Sequence, residues 1–294
     1  MQDHGLEVPA PLPLKGALRV WASLGLLMAA LAITVPAYGR WFSGGLEMIY
    51  KFGLPLLWGG AALATVKRPR LVTLRVLLLS LLGVSFGLAL AYIIGSKPLD
   101  LLRLSEATPK GAAAAKILSE VIPVCAAILL AGLLARMPLA SLGLRGGRVQ
   151  LSLWLGLLAT VPIVVLAAFD PSGGGKAVLA LPVHTLLSWL PWIVAFSIAN
   201  GFMEELWFRG AWFAAFRQAL GPSAAMHVTS LAFCVSHVIV YWRDPAAVLI
   251  LTPVWLYMGY AYAAIMRKTG SLWGVVLAHA IADMVYMYIA FAAA

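Results

Sequence analysis

Apolar runs without a formal charge recur along this chain, and they limit its fold more than any other feature. Val76–Ser96, Val149–Phe169, Ala177–Met203, Gln218–Trp242 and Pro245–Met266 contain no Asp, Glu, Lys or Arg. Each is long enough, wound as a helix, to cross a hydrocarbon core of about 30 Å. Only 11% of the 294 residues are charged and 63% are hydrophobic, whereas a soluble domain carries about 25% charged residues. The chain is therefore read as all-α, a polytopic transmembrane helix bundle with about eight to nine spans.

The net charge of +10 raises the question of a nucleic-acid partner. The basic residues answer it by their placement. Lys67-Arg68-Pro69-Arg70 and Arg145/Arg148 fall between apolar runs, as the positive-inside rule requires. The partner is a lipid bilayer and no nucleic acid is expected. An integral protein of a bacterial plasma membrane, with its N-terminus cytoplasmic, is the expected location. Cys125 and Cys234 lie in apolar stretches and read as small buried hydrophobes rather than a disulfide.

In chain order, residues 1–16 form a proline-containing polar tail, expected to be flexible. Residues 17–176 hold N-terminal transmembrane helices to which the sequence assigns no role. Residues 177–294 form the remaining transmembrane domain. Spans are expected near Val20–Tyr38, Leu46–Val66, Thr73–Ile94, Ile117–Ala135, Leu151–Phe169, Ala224–Tyr241, Ala246–Met266 and Leu272–Phe291. Gly95–Lys116 reads as an exposed loop, and Asp170–Gly175 as a turn cluster. Val178–Leu220 is too long for one perpendicular crossing. It must tilt, break near Pro191 or Gly201, or run on as a surface helix.

Acidic residues number only 11, yet Glu204 and Glu205 stand side by side after an uncharged run. A charge at membrane depth costs from about 2.5 kcal/mol to more than 10, so these positions are functional candidates. Glu205 and Arg209 are spaced i,i+4 and can pair. Phe233 and His237 share that spacing on the next stretch, as do His279 and Asp283 on the last. Glu204 lies about 100° around the helix from Glu205, so one carboxylate can face a reacting centre while the other organises its neighbours. Helical rise places Glu204 and His237 about 24 and 21 Å from their shared turn, so convergence is geometrically open.

Two chemistries suit two imidazoles and carboxylates in an apolar bundle. Such a set can bind zinc with an open position for water. A buried glutamate can instead take a proton from water while imidazoles stabilise the oxyanion. Asp283 can orient His279 and fix its tautomer. There is no His-Glu-x-x-His helix, which excludes a zincin-type site. His184 and His227 read as packing or interface residues. Trp207, Phe208, Trp212, Phe213 and Phe216 read as lipid- or bundle-facing packing.

Glu204-Glu205-x-x-x-Arg209, Phe233-x-x-x-His237 and His279-x-x-x-Asp283, in that order on separate apolar segments, resemble the CPBP family of membrane proteases. That family includes type II CAAX prenyl endopeptidases and bacteriocin-processing or abortive-infection proteins. Phe208-Arg209-Gly210 and Thr269-Gly270-Ser271-Leu272-Trp273 are similar to it as well. The resemblance spans about His184 to Met287, the C-terminal third.

It implies an intramembrane endopeptidase acting on a membrane-associated protein or peptide. Glu204 would activate water, supported by Glu205 and Arg209. His237 and His279 would stabilise the oxyanion or, with Glu204, hold a zinc ion, and Asp283 would stand beside His279 where asparagine is commoner. A non-catalytic scaffold or immunity protein of the same fold is the alternative, followed by a proton-coupled transporter.

Overall fold

The computed structural model of the chain describes residues 16–39, 42–168 and 174–293. The expected flexible tail falls almost wholly outside these residues, as does most of the Asp170–Gly175 turn cluster. The described residues form helices and connecting turns, with no strand among them. In lipid the backbone must satisfy its own hydrogen bonds, and helices do so within each segment.

The helices are α1 (Gly16–Gly39), α2 (Gly45–Ala64), α3 (Val72–Ile94), α4 (Lys97–Leu102), α5 (Pro109–Ala115), α6 (Ile122–Leu134), α7 (Val149–Ala168), α8 (Gly174–Ala180), α9 (Val183–Glu205), α10 (Phe213–Leu220), α11 (Pro222–Val238), α12 (Pro245–Thr269) and α13 (Trp273–Ala292). Two wider π-helical turns join successive pieces into continuous rods. Lys116–Val121 links α5 to α6, and Leu206–Trp212 links α9 to α10.

Among the described residues, eight helical rods are long and apolar enough to cross a membrane. The helix α2 is not among them, because Glu47 and Lys51, paired at 3.6 Å, dilute its first turns. It nonetheless lies along α3, with Lys51 over the Tyr92 ring and Gly59 beside Leu82.

Two boundaries differ from the sequence reading. The supposed loop Gly95–Lys116 contains α4 and α5, and the span begins at Pro109. Thr108 caps it by accepting a hydrogen bond from the Gly111 amide at 3.1 Å, and Pro109 sits where a missing N–H costs nothing. Inside this rod Lys116 pairs with Glu120 at 2.6 Å and lies over the Phe196 ring of α9, while Lys110, exposed in the first turn, lies over Trp192. The long C-terminal segment breaks at Leu181–Pro182, not at Pro191 or Gly201, and then runs unbroken from Val183 to Leu220.

That 38-residue rod is about 57 Å long at 1.5 Å per residue, nearly twice the hydrocarbon thickness. Its second half is the centre of the bundle rather than a lipid-facing surface. Trp207, Phe208, Trp212, Phe213 and Phe216 are all almost fully buried. The Trp207 and Phe208 rings stack at 4.8 Å, and Trp212 meets both edge-on at 5.4 Å. The Trp212 indole N–H also donates to the Ser80 carbonyl of α3 at 3.3 Å. The helices α3, α6, α11, α12 and α13 surround this rod.

Small residues set the closest approaches, as packing in lipid favours. A Cβ on Gly201 of α9 would press on the Ala280 amide at 3.1 Å and on Cβ of His279 at 3.3 Å. A Cβ on Gly274 of α13 would overlap the Ser152 carbonyl of α7. These contacts press α13 onto α9 and α7, which brings His279 to the two glutamates.

Candidate active site

The last turn of α9 aims its two carboxylates in different directions, as the 100° step of a helix requires. Glu205 and Arg209 are wholly buried, and Glu204 is 6% exposed.

Glu205 is the organiser. One of its oxygens, Oε1, accepts from Nη1 of Arg209 at 2.8 Å and lies 2.8 Å from Nδ1 of His279. The guanidinium is fixed on its other side by the carbonyls of Met258 and Gly259, at 3.2 and 3.3 Å. It also lies over the Phe233 ring at 4.3 Å. Arg209 is thus the counter-charge to Glu205, reached across the junction from α-helix into π turn. Such turns recur at functional sites.

Glu204 faces the other way, toward two imidazoles. Its Oε2 stands 3.3 Å from Nε2 of His237 and 3.9 Å from Nε2 of His279. Both are ion-pair distances, but neither has hydrogen-bond alignment, so this buried oxygen keeps unused accepting capacity. A buried acceptor left in that state is costly. It is also the state a general base needs before it receives a proton.

Each imidazole is held by its far nitrogen. In His237, Nδ1 lies 2.8 Å from the Phe233 carbonyl and 3.2 Å from the Ser236 hydroxyl. A carbonyl only accepts, so Nδ1 carries the proton and Nε2 is turned to the site. In His279, Nδ1 faces the Glu205 carboxylate in the same way. The role of fixing the His279 tautomer, expected of Asp283, belongs by this geometry to Glu205. Asp283 lies on the reacting side instead, its Oδ1 3.8 Å from Nε2 of His279. That is too far for a hydrogen bond. Its other oxygen accepts from the Asn200 amide at 2.8 Å.

All six residues singled out by the sequence therefore meet at one place. His184 and His227 do not: both are exposed, and His227 contacts the Tyr260 hydroxyl at 3.1 Å. Two contributors were missed. Asn200 precedes Glu204 by four residues, so the spacing rule that found Arg209 would have found it. Lys116, paired with Glu120 at 2.6 Å on the other π turn, lies against α9 within electrostatic reach of Glu204 and Asp283. Its proximity carries no local sequence signal.

Glu204, His237 and His279 converge, with both Nε2 atoms turned to one carboxylate oxygen. No group of three or more His, Cys, Asp or Glu side chains among the described residues is arranged to hold an ion. The chemistry below is derived from the side chains alone.

Residues 186–285 match the family model described as Rce1-like, type II CAAX prenyl endopeptidase Rce1-like. The matched stretch includes Glu204, Glu205, Arg209, His237, His279 and Asp283. It lies among the eight helical rods of the described residues that are long and apolar enough to cross a membrane. A search of curated proteins found no match, and a search of solved structures found none either.

Proposed function

We propose that the chain is an intramembrane endopeptidase that hydrolyses a peptide bond in a membrane-associated protein or peptide, with Glu204 as general base. The carrying observation is that both imidazoles turn Nε2 toward one underused oxygen of Glu204 while each Nδ1 is held from behind. Glu204 takes a proton from water, and the resulting hydroxide attacks the peptide carbonyl. The oxygen that gains charge accepts a hydrogen bond from Nε2–H of His237 or His279 when that ring holds its second proton. Collapse of the adduct breaks the C–N bond, and Glu204 returns its proton to the leaving amine.

Preorganisation comes from the chain rather than from the substrate. Arg209 holds Glu205, Glu205 holds His279, and the surrounding rings keep the set in a dry environment where such dipoles act strongly. The basic connections at one end of the bundle support a cytoplasmic N-terminus in a plasma membrane.

The reading is tested by comparing the proteomes of membranes that carry wild-type or Glu204→Gln protein. Shortened forms of a membrane-anchored protein or peptide should disappear with the variant. Unchanged products would defeat the proposal. Purified enzyme should keep its activity when divalent metal is removed by a chelator. Stoichiometric zinc whose removal abolishes cleavage would replace the metal-free route with a metal-dependent one.

A further inference from the structure

Away from this site, a cavity of about 830 Å³ opens at one end of the bundle between α2, α3, α6 and α10. Its walls are leucine, valine, alanine and other apolar side chains, and three arginines, Arg75, Arg136 and Arg217, line it with no carboxylate among the lining residues. We propose that this groove binds one anionic phospholipid, with its phosphodiester between the arginines and an acyl chain along the leucine wall.

The charge is unbalanced at this whole end of the molecule. The connections gathered here, residues 65–71, 135–148 and 270–272, contain no Asp or Glu. The last two are tied to one another: the Arg148 amide donates to the Thr269 carbonyl at 2.7 Å, and the Leu272 amide donates to the Gly143 carbonyl at 2.9 Å. None of the three groove arginines has a carboxylate within ion-pair distance among the described residues. Arg75 has only the Val66 carbonyl, at 3.2 Å. Among the described residues, the groove presents positive charge with no acidic partner.

Arginine matches phosphate oxygens in a planar, two-pronged geometry. Basic pockets between transmembrane helices on the cytoplasmic side are recurrent sites for acidic headgroups. Arg136 adds a local argument. It ends α6 in the left-handed conformation, φ 55°, where glycine is the unstrained choice. An arginine there accepts backbone strain and places a cation at the groove. A volume of this size also suits a ligand of drug or lipid-fragment dimensions, about 300–1,000 Å³.

The test uses the full chain in nanodiscs or micelles containing equal phosphatidylglycerol and phosphatidylcholine, with retained lipid counted by native mass spectrometry. Wild-type protein should retain phosphatidylglycerol in clear preference. Each of Arg75→Gln, Arg217→Gln and Arg136→Gly should lower that preference by about fivefold. Glycine is used at 136 so that the left-handed turn is kept. The triple variant should bring the ratio to about one.

Arg267→Gln/Lys268→Gln removes charge from the same end outside the groove and should leave the preference intact. Equal retention of the two lipids by wild type, or by wild type and triple variant alike, overturns the site. An equal drop in the Arg267/Lys268 control would show diffuse surface attraction and overturn it too. So would displacement of the lipid by millimolar inorganic phosphate, which would mark a free-anion site. Because the readout is bound lipid, failure here leaves the proteolytic reading untouched.

Discussion

Two ion pairs of the same i,i+4 spacing sit on, or at the edge of, the two π turns inside membrane-crossing rods, and their surroundings could hardly differ more. Glu205 and Arg209 meet at 2.8 Å with both side chains fully buried. Lys116 and Glu120 meet at 2.6 Å with side chains 18% and 24% exposed. The first pair is clamped by two carbonyls and an aromatic ring, and it holds a histidine. The second has one cation–π contact, with Phe196, and Glu120 keeps a buried oxygen without a partner. Spacing shows that two charges can pair. The neighbours show whether the pair is a scaffold or an adjustable field at the edge of the site.

The sharpest way to break the contrast lies between the two pairs, at Glu204. If the Glu205–Arg209 pair only supports, the base itself must carry the largest loss. Glu204→Gln keeps shape and removes proton-accepting capacity, so cleavage should fall by about 10²–10⁴-fold. Thermal unfolding of the purified variant should stay close to wild type, since Glu204 makes no aligned hydrogen bond. A variant that keeps full activity would move the base elsewhere.

Next comes the buried pair. Arg209→Met removes one partner and strands Glu205 without its counter-charge. Breaking a buried pair in this way costs about 3–5 kcal/mol, so the variant should unfold at markedly lower temperature or fail to accumulate. Exchanging both residues for apolar ones, as in Glu205→Leu/Arg209→Met, should recover much of that stability and none of the activity. Recovery of both would mean that the pair does not position His279.

The same contrast separates what the residues alone make legible from what they do not. Glu204, Glu205, Arg209, His237, His279 and Asp283 were legible because charge is rare in this chain and because i,i+4 spacing fixes a helix face. The apolar runs gave the helical class and nearly all the rods. The division of labour around His279 was not legible, since it depends on how closely Gly201 lets α13 approach α9. Neither π turn has a signature in residue type. The start of the third long rod was misjudged because Pro109, Lys110 and Lys116 look like loop residues. Pro109 suits the first helical position, and Trp192 and Phe196, about eighty residues downstream, receive the two lysines. That is tertiary information.

A smaller effect separates positioning from chemistry on the reacting side. Asn200 holds one oxygen of Asp283, and Asn200→Ala would free that carboxylate to turn. The loss of one hydrogen bond to a charged group is worth about 1.5–3 kcal/mol. Because Asp283 stands beside Nε2 of His279, the loss should appear in kcat more than in KM. Asn200→Asp should not rescue it, since a second carboxylate cannot donate. Rescue by Asp would assign Asn200 a packing role.

The smallest effect is expected at the Lys116–Glu120 pair, and it bears most directly on the comparison. A partly exposed pair contributes about 0–1 kcal/mol to stability, so Lys116→Met/Glu120→Leu should unfold near the wild-type temperature. Lys116 nevertheless lies within electrostatic reach of Glu204 and Asp283. Removing the pair changes the field at the base without touching it. An effect of about 1 kcal/mol, or about fivefold in kcat/KM, is reasonable for a charge at the edge of a low-dielectric site. Lys116→Arg keeps the charge and should restore most of the rate. If the double variant matches wild type in both stability and rate, this π turn is only a packing element of the N-terminal half. If the rate falls while stability holds, the first 170 residues contribute a charged wall to a site whose recognisable motifs all lie beyond them.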